Sequence, residues 1–187
     1  MKYKFTKKDI LTIPNLMTLF RVILIPFLIL NYVKYQNYKA TIIILILSGI
    51  TDVGDGFVAR KFNMVSDFGK FFDPVADKLT QATLALCLWT RLPNMLYLFF
   101  LMAIKEIIMF VTGYMSVRAS GKMLAAVWHG KVNTVLIYCV MFIHIIWFNI
   151  PITTSDIMIF LVACMMILSL ILYARMNIKI YKQYKDE

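Results

Sequence analysis

Five of the chain's ten acidic residues stand between Asp52 and Asp77. They read Asp52-Val-Gly-Asp55-Gly56-Phe-Val-Ala59-Arg60, then eight residues, then Gly69-x-x-x-Asp73-x-x-x-Asp77, inside otherwise apolar sequence. An ionised carboxylate in a membrane-spanning segment costs at least about 2.5 to 3.5 kcal/mol on insertion scales, so a group of them at helical spacing asks for a compensating charge. Residues three or four apart share a helix face, which pairs Asp52 with Asp55 and Asp73 with Asp77. The connection from Lys61 to Phe68 is short enough to make the two helices antiparallel neighbours, on which four carboxylates converge. Left empty, such a set repels itself; two divalent cations about 3.5 to 4 Å apart would neutralise it and clamp a phosphoryl group. Hard oxygen ligands suit magnesium or manganese rather than zinc. Gly56 and Gly69 remove side chains beside the carboxylates and let a ligand or a backbone approach. Arg60, one turn beyond Gly56, is placed to meet a phosphate as a planar cation. The structural alternative is that single aspartates cap helix ends, a role open to Asp67 or Asp73.

At these positions the chain resembles the CDP-alcohol phosphotransferase family. The family's pattern D-x-x-D-G-x-x-A-R, about eight residues, G-x-x-x-D-x-x-x-D is met by Asp52, Asp55, Gly56, Ala59, Arg60, Gly69, Asp73 and Asp77. The resemblance extends to Ile13-Pro14-Asn15-Leu16-Met17-Thr18-Leu19-Phe20-Arg21 and, more loosely, to Gly130-Lys131-Val132-Asn133-Thr134. It implies a membrane enzyme that displaces CMP from a CDP-linked alcohol with the hydroxyl of a second alcohol, using two magnesium ions. By the same resemblance Asp52, Asp55 and Asp73 hold metal, and Asp77 both touches metal and takes the proton of the attacking hydroxyl. Gly56, Arg60 and Ser66 line the nucleotide and diphosphate, and Asn15 to Thr18 close over the cytidine. Homodimerisation is a further family expectation.

The elements that must position these groups follow from composition. In 187 residues, 61% hydrophobic and 16% charged with a mean hydropathy of +0.76, the chain is too apolar for an ordinary soluble domain. It reads as an all-α integral membrane protein. A bilayer core of roughly 30 Å needs about 20 apolar residues per helix. Six transmembrane helices are expected near residues 14–33, 40–59, 71–89, 95–115, 126–148 and 156–176. Pro14 suits a first helical turn, Pro93 and Pro151 suit turns between helices, Pro74 is expected in the first turn of the third span, and Pro26 should bend the first. Lys2, Lys4, Lys7, Lys8, Arg60, Lys61, Arg118, Lys122, Lys179, Lys182 and Lys185 fall on one side of these spans, against Lys34, Lys39 and Arg91 on the other. By the positive-inside rule both termini and the acidic cluster face the cytosol, in a multi-pass plasma-membrane protein. Residues 1–11 carry Tyr3, Phe5 and Ile10 among lysines, either an interfacial segment on an anionic leaflet or a solvated topogenic tail. No removable signal is expected at the N-terminus. There is no repeat or linker, so one domain over residues 1–187 is expected.

The net charge of +10 does not indicate nucleic acid, because the basic residues flank helices instead of forming a stripe on a soluble fold. Cys87, Cys139 and Cys164 stand singly in apolar runs and read as packing residues. Around the turn between spans four and five, Arg118, Lys122 and Lys131 could bind an anionic acceptor such as a glycerol or sugar phosphate, or could simply set topology. Arg118 and Lys131 are taken as acceptor-binding, since a lysine inside a span is costly without an anion. Lys105-Glu106, Val111-Thr112-Gly113, Ala125-Ala126 and Gly130-Lys131-x-x-Thr134 resemble the glycerophosphate-type members of the family. Lys at 105 and Asn at 133 depart from their usual Arg and second Lys. Glycerol 3-phosphate is therefore the expected acceptor of a phosphatidyl group from CDP-diacylglycerol, with phosphatidylglycerol, as in cardiolipin synthases, or another polar alcohol as alternatives. Lys105 and Glu106, adjacent in mid-span, should point to different faces and find partners on other helices. His129 and His144 read as structural residues. A cation channel or transporter is the competing class, but such proteins show paired halves or interrupted helices around midplane sites, and neither pattern is visible here.

Overall fold

Thr12 and Pro14 begin the first helix, α1 (Ile13–Ile29), where the missing N–H of a proline in the first turn removes no intrahelical bond. The computed structural model describes residues 12–64, 66–120 and 128–185. The segment 1–11 with its lysines, Lys122 and Ala125-Ala126 lie outside the described residues. α1 runs through Pro26 and then widens into a π-helical turn, Leu30–Lys34, where Asn31 Nδ2 donates to the Phe27 carbonyl at 2.8 Å. The chain reverses through Gln36, whose φ of 50° is left-handed. Asn37 then caps α2 (Tyr38–Lys61), its Oδ1 accepting from the Ala40 N–H at 3.1 Å.

The end of α2 sets the distance to the next helix. Asn63 adopts φ 52°, and the Met64 N–H returns to the Ala59 carbonyl at 2.9 Å, the closing bond of a Schellman cap. Two residues on, Ser66 Oγ accepts from the Gly69 N–H at 2.9 Å and starts α3 (Asp67–Trp89). The cap is thus Ser66, not Asp73. Because α3 starts four residues before the apolar run, Pro74 lies two turns inside it and not in its first turn. The carbonyl of residue 70 thereby loses its i+4 donor. α4 (Met95–Ser120), α5 (Trp128–Ile146) and α6 (Ile152–Lys185) follow, with Pro93 and Pro151 in the turns, as the sequence indicates.

Among the described residues there are six helices and no strand, and five of the helices are long and apolar enough to cross a membrane. The exception is α3, whose apolar half is interrupted by Asp73, Asp77 and Lys78. The surface distribution is that of a multi-pass membrane protein. Phe57, Phe110, Phe160 and Leu161 are exposed, whereas Thr18, Arg21, Asp55 and Gln81 are buried. Apolar side chains outside and polar ones inside suit a hydrocarbon solvent.

The chain divides into two compact units, Met1–Cys87 and Leu88–Glu187, and the division falls near the end of α3 instead of in a linker. In the first, α1 lies along α2, and Met17 Cε would meet a Cβ at Gly54 at 2.7 Å, so glycine permits the close approach. In the second, α6 packs along α4 and α5 around Met95, Leu98, Met141, Ile145 and Met166. Cys87 is buried, Cys139 and Cys164 are exposed, and all three are unbridged.

Candidate functional site

The polar centre of the first unit is held by a residue of α1. Arg21, 2% exposed, places Nη1 2.5 Å from Asp52 Oδ1 and Nη2 2.6 Å from Asp55 Oδ2. Its guanidinium therefore spans the two carboxylates that α2 presents one turn apart, and its fork geometry suits that task. One turn earlier on α1, Thr18 Oγ1 lies 2.6 Å from Asp73 Oδ1 and 3.3 Å from Asp55 Oδ2. The hydroxyl thus stands between an acid of α2 and an acid of α3, donating its one proton at the shorter distance to Asp73. Asp52 itself is half exposed, with 52% of its side chain accessible.

A second brace fixes the start of α3. The Asn15 amide faces the Ser66 hydroxyl, with Nδ2 and Oδ1 at 3.1 and 3.2 Å from Oγ. A Cβ at Gly69 would stand 2.6 Å from Asn15 Oδ1 and 3.0 Å from Ser66 Oγ. Only a residue without a side chain admits both groups there, which is the structural reason for glycine at this motif position. On the neighbouring helix Arg60 is exposed and its guanidinium folds back over Gly56, with Nη1 3.4 Å from where a Cβ would be.

The structure brings Asp52, Asp55 and Asp73 into one bonded web with Thr18 and Arg21. Asp77, one turn beyond Asp73, accepts instead from Gln81 Nε2 at 3.2 Å. Among the described residues no three Asp, Glu, His or Cys side chains surround a common point as metal ligands. Arg21 and Thr18 are threaded between the carboxylates that the spacing places on facing helices. The donor set nevertheless fits a hard divalent cation. All its donors are oxygens, Asp55 and Asp73 meet at one hydroxyl, and one guanidinium offsets only part of the charge on three carboxylates.

Asn15, Thr18 and Ser66, expected at the nucleotide, are all buried and use their polar atoms on protein partners. Their place is behind the carboxylates. On the side of α2 turned away from Asp52 and Asp55, Ile46, Gly49, Ile50, Val53, Gly54 and Phe57 form an open apolar face.

Of the expected acceptor residues, Arg118 lies in the last turn of α4 and lines a groove of about 530 Å³ with Tyr114, Tyr181 and Tyr184. Lys131 is exposed in the first turn of α5 and does not line that groove, so the cost of a lysine deep in a span does not apply to it. Lys105 and Glu106 do not turn from each other as expected: Lys105 Nζ stands 3.5 Å from Glu106 Oε1. The length of both side chains lets neighbouring positions meet. His129 is buried, its Nδ1 3.4 Å from Ser169 Oγ, and its ring meets Tyr173 edge-on. Arg21 and Gln81 received no role from spacing alone. The signal for Arg21 was present as a cation in the middle of an apolar helix, in a chain whose acids need compensation.

The sequence model of CDP-alcohol phosphatidyltransferases matches residues 11–174. A protein of Escherichia coli strain K12 named CDP-diacylglycerol–glycerol-3-phosphate 3-phosphatidyltransferase is 36% identical over 132 residues, covering 65% of this chain and 70% of its own. Proteins of the same name from Escherichia coli O157:H7 and Shigella flexneri serotype 5b match with the same identity and coverage.

Proposed function

This chain belongs to the CDP-alcohol phosphatidyltransferase family, and we propose that it transfers the phosphatidyl group of CDP-diacylglycerol to glycerol 3-phosphate, releasing CMP. The observation that carries the chemistry is the web of Asp52, Asp55 and Asp73 on Arg21 and Thr18, with Asp77 one turn beyond. The names of the relatives support the acceptor.

In this reading the hydroxyl oxygen of glycerol 3-phosphate attacks the phosphorus that carries diacylglycerol. The bond from that phosphorus to the CMP oxygen breaks, and Asp77 takes the hydroxyl proton. Asp52, Asp55, Asp73 and Asp77 would hold two magnesium ions, or manganese in their place. Bound there, such ions supply charge neutralisation for a diphosphate and its leaving group. Arg60, lying over Gly56 at the exposed end of α2, meets the diphosphate, while Asn15, Thr18 and Ser66 shape the nucleotide site from behind. The acyl chains stay in the bilayer, along the exposed apolar side chains of the helices, while the diphosphate reaches the carboxylates. Arg118 and Lys131 bind the phosphate of the acceptor. The whole chain acts as one catalytic domain, in a homodimer, with its termini and site at the cytoplasmic face of the plasma membrane.

The test is CMP release by purified protein in detergent with CDP-diacylglycerol and magnesium. Glycerol 3-phosphate is expected to support release, and phosphatidylglycerol, inositol phosphate and serine are not. A chelator should abolish turnover and excess magnesium should restore it. Turnover that resists chelation would falsify the metal assignment, and exclusive use of another acceptor would overturn the glycerol 3-phosphate assignment.

A further inference from the structure

Gln81 is fully buried on α3, one turn beyond Asp77, among the apolar Leu84, Ala85 and Ala76 of the same helix. A buried side-chain amide is costly unless both its ends are bonded. Thr80, next to it, is satisfied locally by the Ala76 carbonyl at 3.0 Å. Gln81 is half satisfied. One end stands 3.2 Å from Asp77 Oδ2, and because an ionised carboxylate only accepts, that end is the donor Nε2. The other end, Oε1, is then a buried acceptor with no partner among the described residues.

We propose that Gln81 is a positioning and specificity residue of the acceptor site: its N–H holds Asp77 Oδ2 and so orients the carboxylate, and its Oε1 accepts a hydrogen bond from a second hydroxyl of the entering alcohol. The inference rests on the transfer reaction proposed above. It gives the site a reason to prefer a polyol. An alcohol with a hydroxyl next to the attacking one fills the vacant acceptor bond, and a mono-alcohol of equal charge leaves it unfilled in a buried place. Discrimination of this kind, where a site is built to bond a hydroxyl, exceeds what apolar contact achieves.

The experiment compares glycerol 3-phosphate with 3-hydroxypropyl phosphate, which lacks the middle hydroxyl, in the parent and in Gln81→Met, which keeps side-chain length without hydrogen bonding. The parent is expected to favour glycerol 3-phosphate in kcat/KM by about tenfold or more. In Gln81→Met that ratio should fall close to one and kcat should drop by about tenfold, with the KM for CDP-diacylglycerol within about twofold of the parent. The melting temperature in detergent should not fall, since a half-satisfied buried amide has been replaced by an apolar chain. A merely structural glutamine predicts the reverse, a lower melting temperature with the acceptor ratio intact. Should Gln81→Met fail to accumulate, Gln81→Asn, which draws the amide back by one methylene, is expected to shrink the ratio in the same direction. An unchanged ratio in either folded variant overturns the inference while leaving the transfer reaction standing. A parent that releases no CMP with either acceptor sinks the reaction itself, and the inference with it.

Discussion

The two halves of the chain pair their buried polar groups differently. Along α4 to α6 and the turn before them several of these groups pair off one to one, although Ser116 Oγ and both amide atoms of Asn133 are buried without a partner among the described residues. Asn94 Nδ2 donates to Asp156 Oδ1 at 2.6 Å, and Asn177 Nδ2 to Thr112 Oγ1 at 3.1 Å. His144 Nδ1 is 2.6 Å from the Val140 carbonyl, which can only accept, so Nδ1 carries the proton and Nε2 accepts from Ser155 Oγ at 2.9 Å. Arg91 Nη2 donates to the carbonyl of the same histidine, with its guanidinium 4.5 Å from the Phe148 ring. Such pairs glue helices together in a medium that offers no other partners. Along α1 to α3 the groups instead share partners: one arginine serves two aspartates, and one hydroxyl reaches two carboxylates. Two acids divide one guanidinium between them, and the third meets the hydroxyl. The lesson is that one-to-one pairing braces helices, whereas several acids sharing one cation and one hydroxyl mark a place reserved for something that arrives.

That contrast breaks most sharply at Asp77. Asp77→Asn should lower kcat by about 100-fold to 10,000-fold, the usual worth of general-base help, with little change in the KM for CDP-diacylglycerol. Steady-state CMP release at saturating magnesium reads this directly, and equal rates would remove Asp77 from the role. Next comes Arg21→Met, which strands Asp52 and Asp55 without their cation. Loss of one partner from a buried ion pair costs about 3 to 5 kcal/mol. Melting in detergent with chelator should show that loss, and added magnesium should recover part of it if divalent ions enter the same web. Gly69→Ala drives a methyl group against Asn15 and Ser66, and overpacking of this kind costs about 1 to 3 kcal/mol. Its expected signature is lower stability together with lower activity, because the start of α3 carries Asp73. The smallest effect should come from Ser155→Ala in the second unit. Interhelical hydrogen bonds in a membrane average about 0.6 kcal/mol and reach about 1.7, so melting should shift slightly and kcat per folded molecule should not. A large kcat loss there would erase the distinction between the halves.

Much of this was legible in the sequence because hydropathy and proline report where helices cross and turn. Pro14, Pro93 and Pro151 lie where such residues belong, and the acids are spaced for shared faces. The misreadings share one cause. Apolarity measures a bilayer crossing and not a helix, so the polar first turn of α3 was invisible until Ser66 was found capping it, and Pro74 moved inward with that start. For the same reason α4 and α6 run past their apolar stretches to Ser120 and Lys185. Arg21 was hidden differently. Its partners lie 31 and 34 positions away on another helix, and no local spacing rule connects them. Gln81 carries no charge and belongs to no motif position, so only burial and an unmatched oxygen reveal it.

With 34 residues, α6 is about 51 Å long at 1.5 Å per residue, against a hydrocarbon core of roughly 30 Å. About two-fifths of the rod must therefore stand in the headgroups or beyond, and its final turns bear Arg175, Lys179 and Lys182. Those cations anchor the rod at a fixed depth, and the groove holding Arg118 and Tyr184 is pinned to that depth with it. A thicker or thinner bilayer would change how much of the rod lies in hydrocarbon, while this ledge stays at the water boundary with its cations.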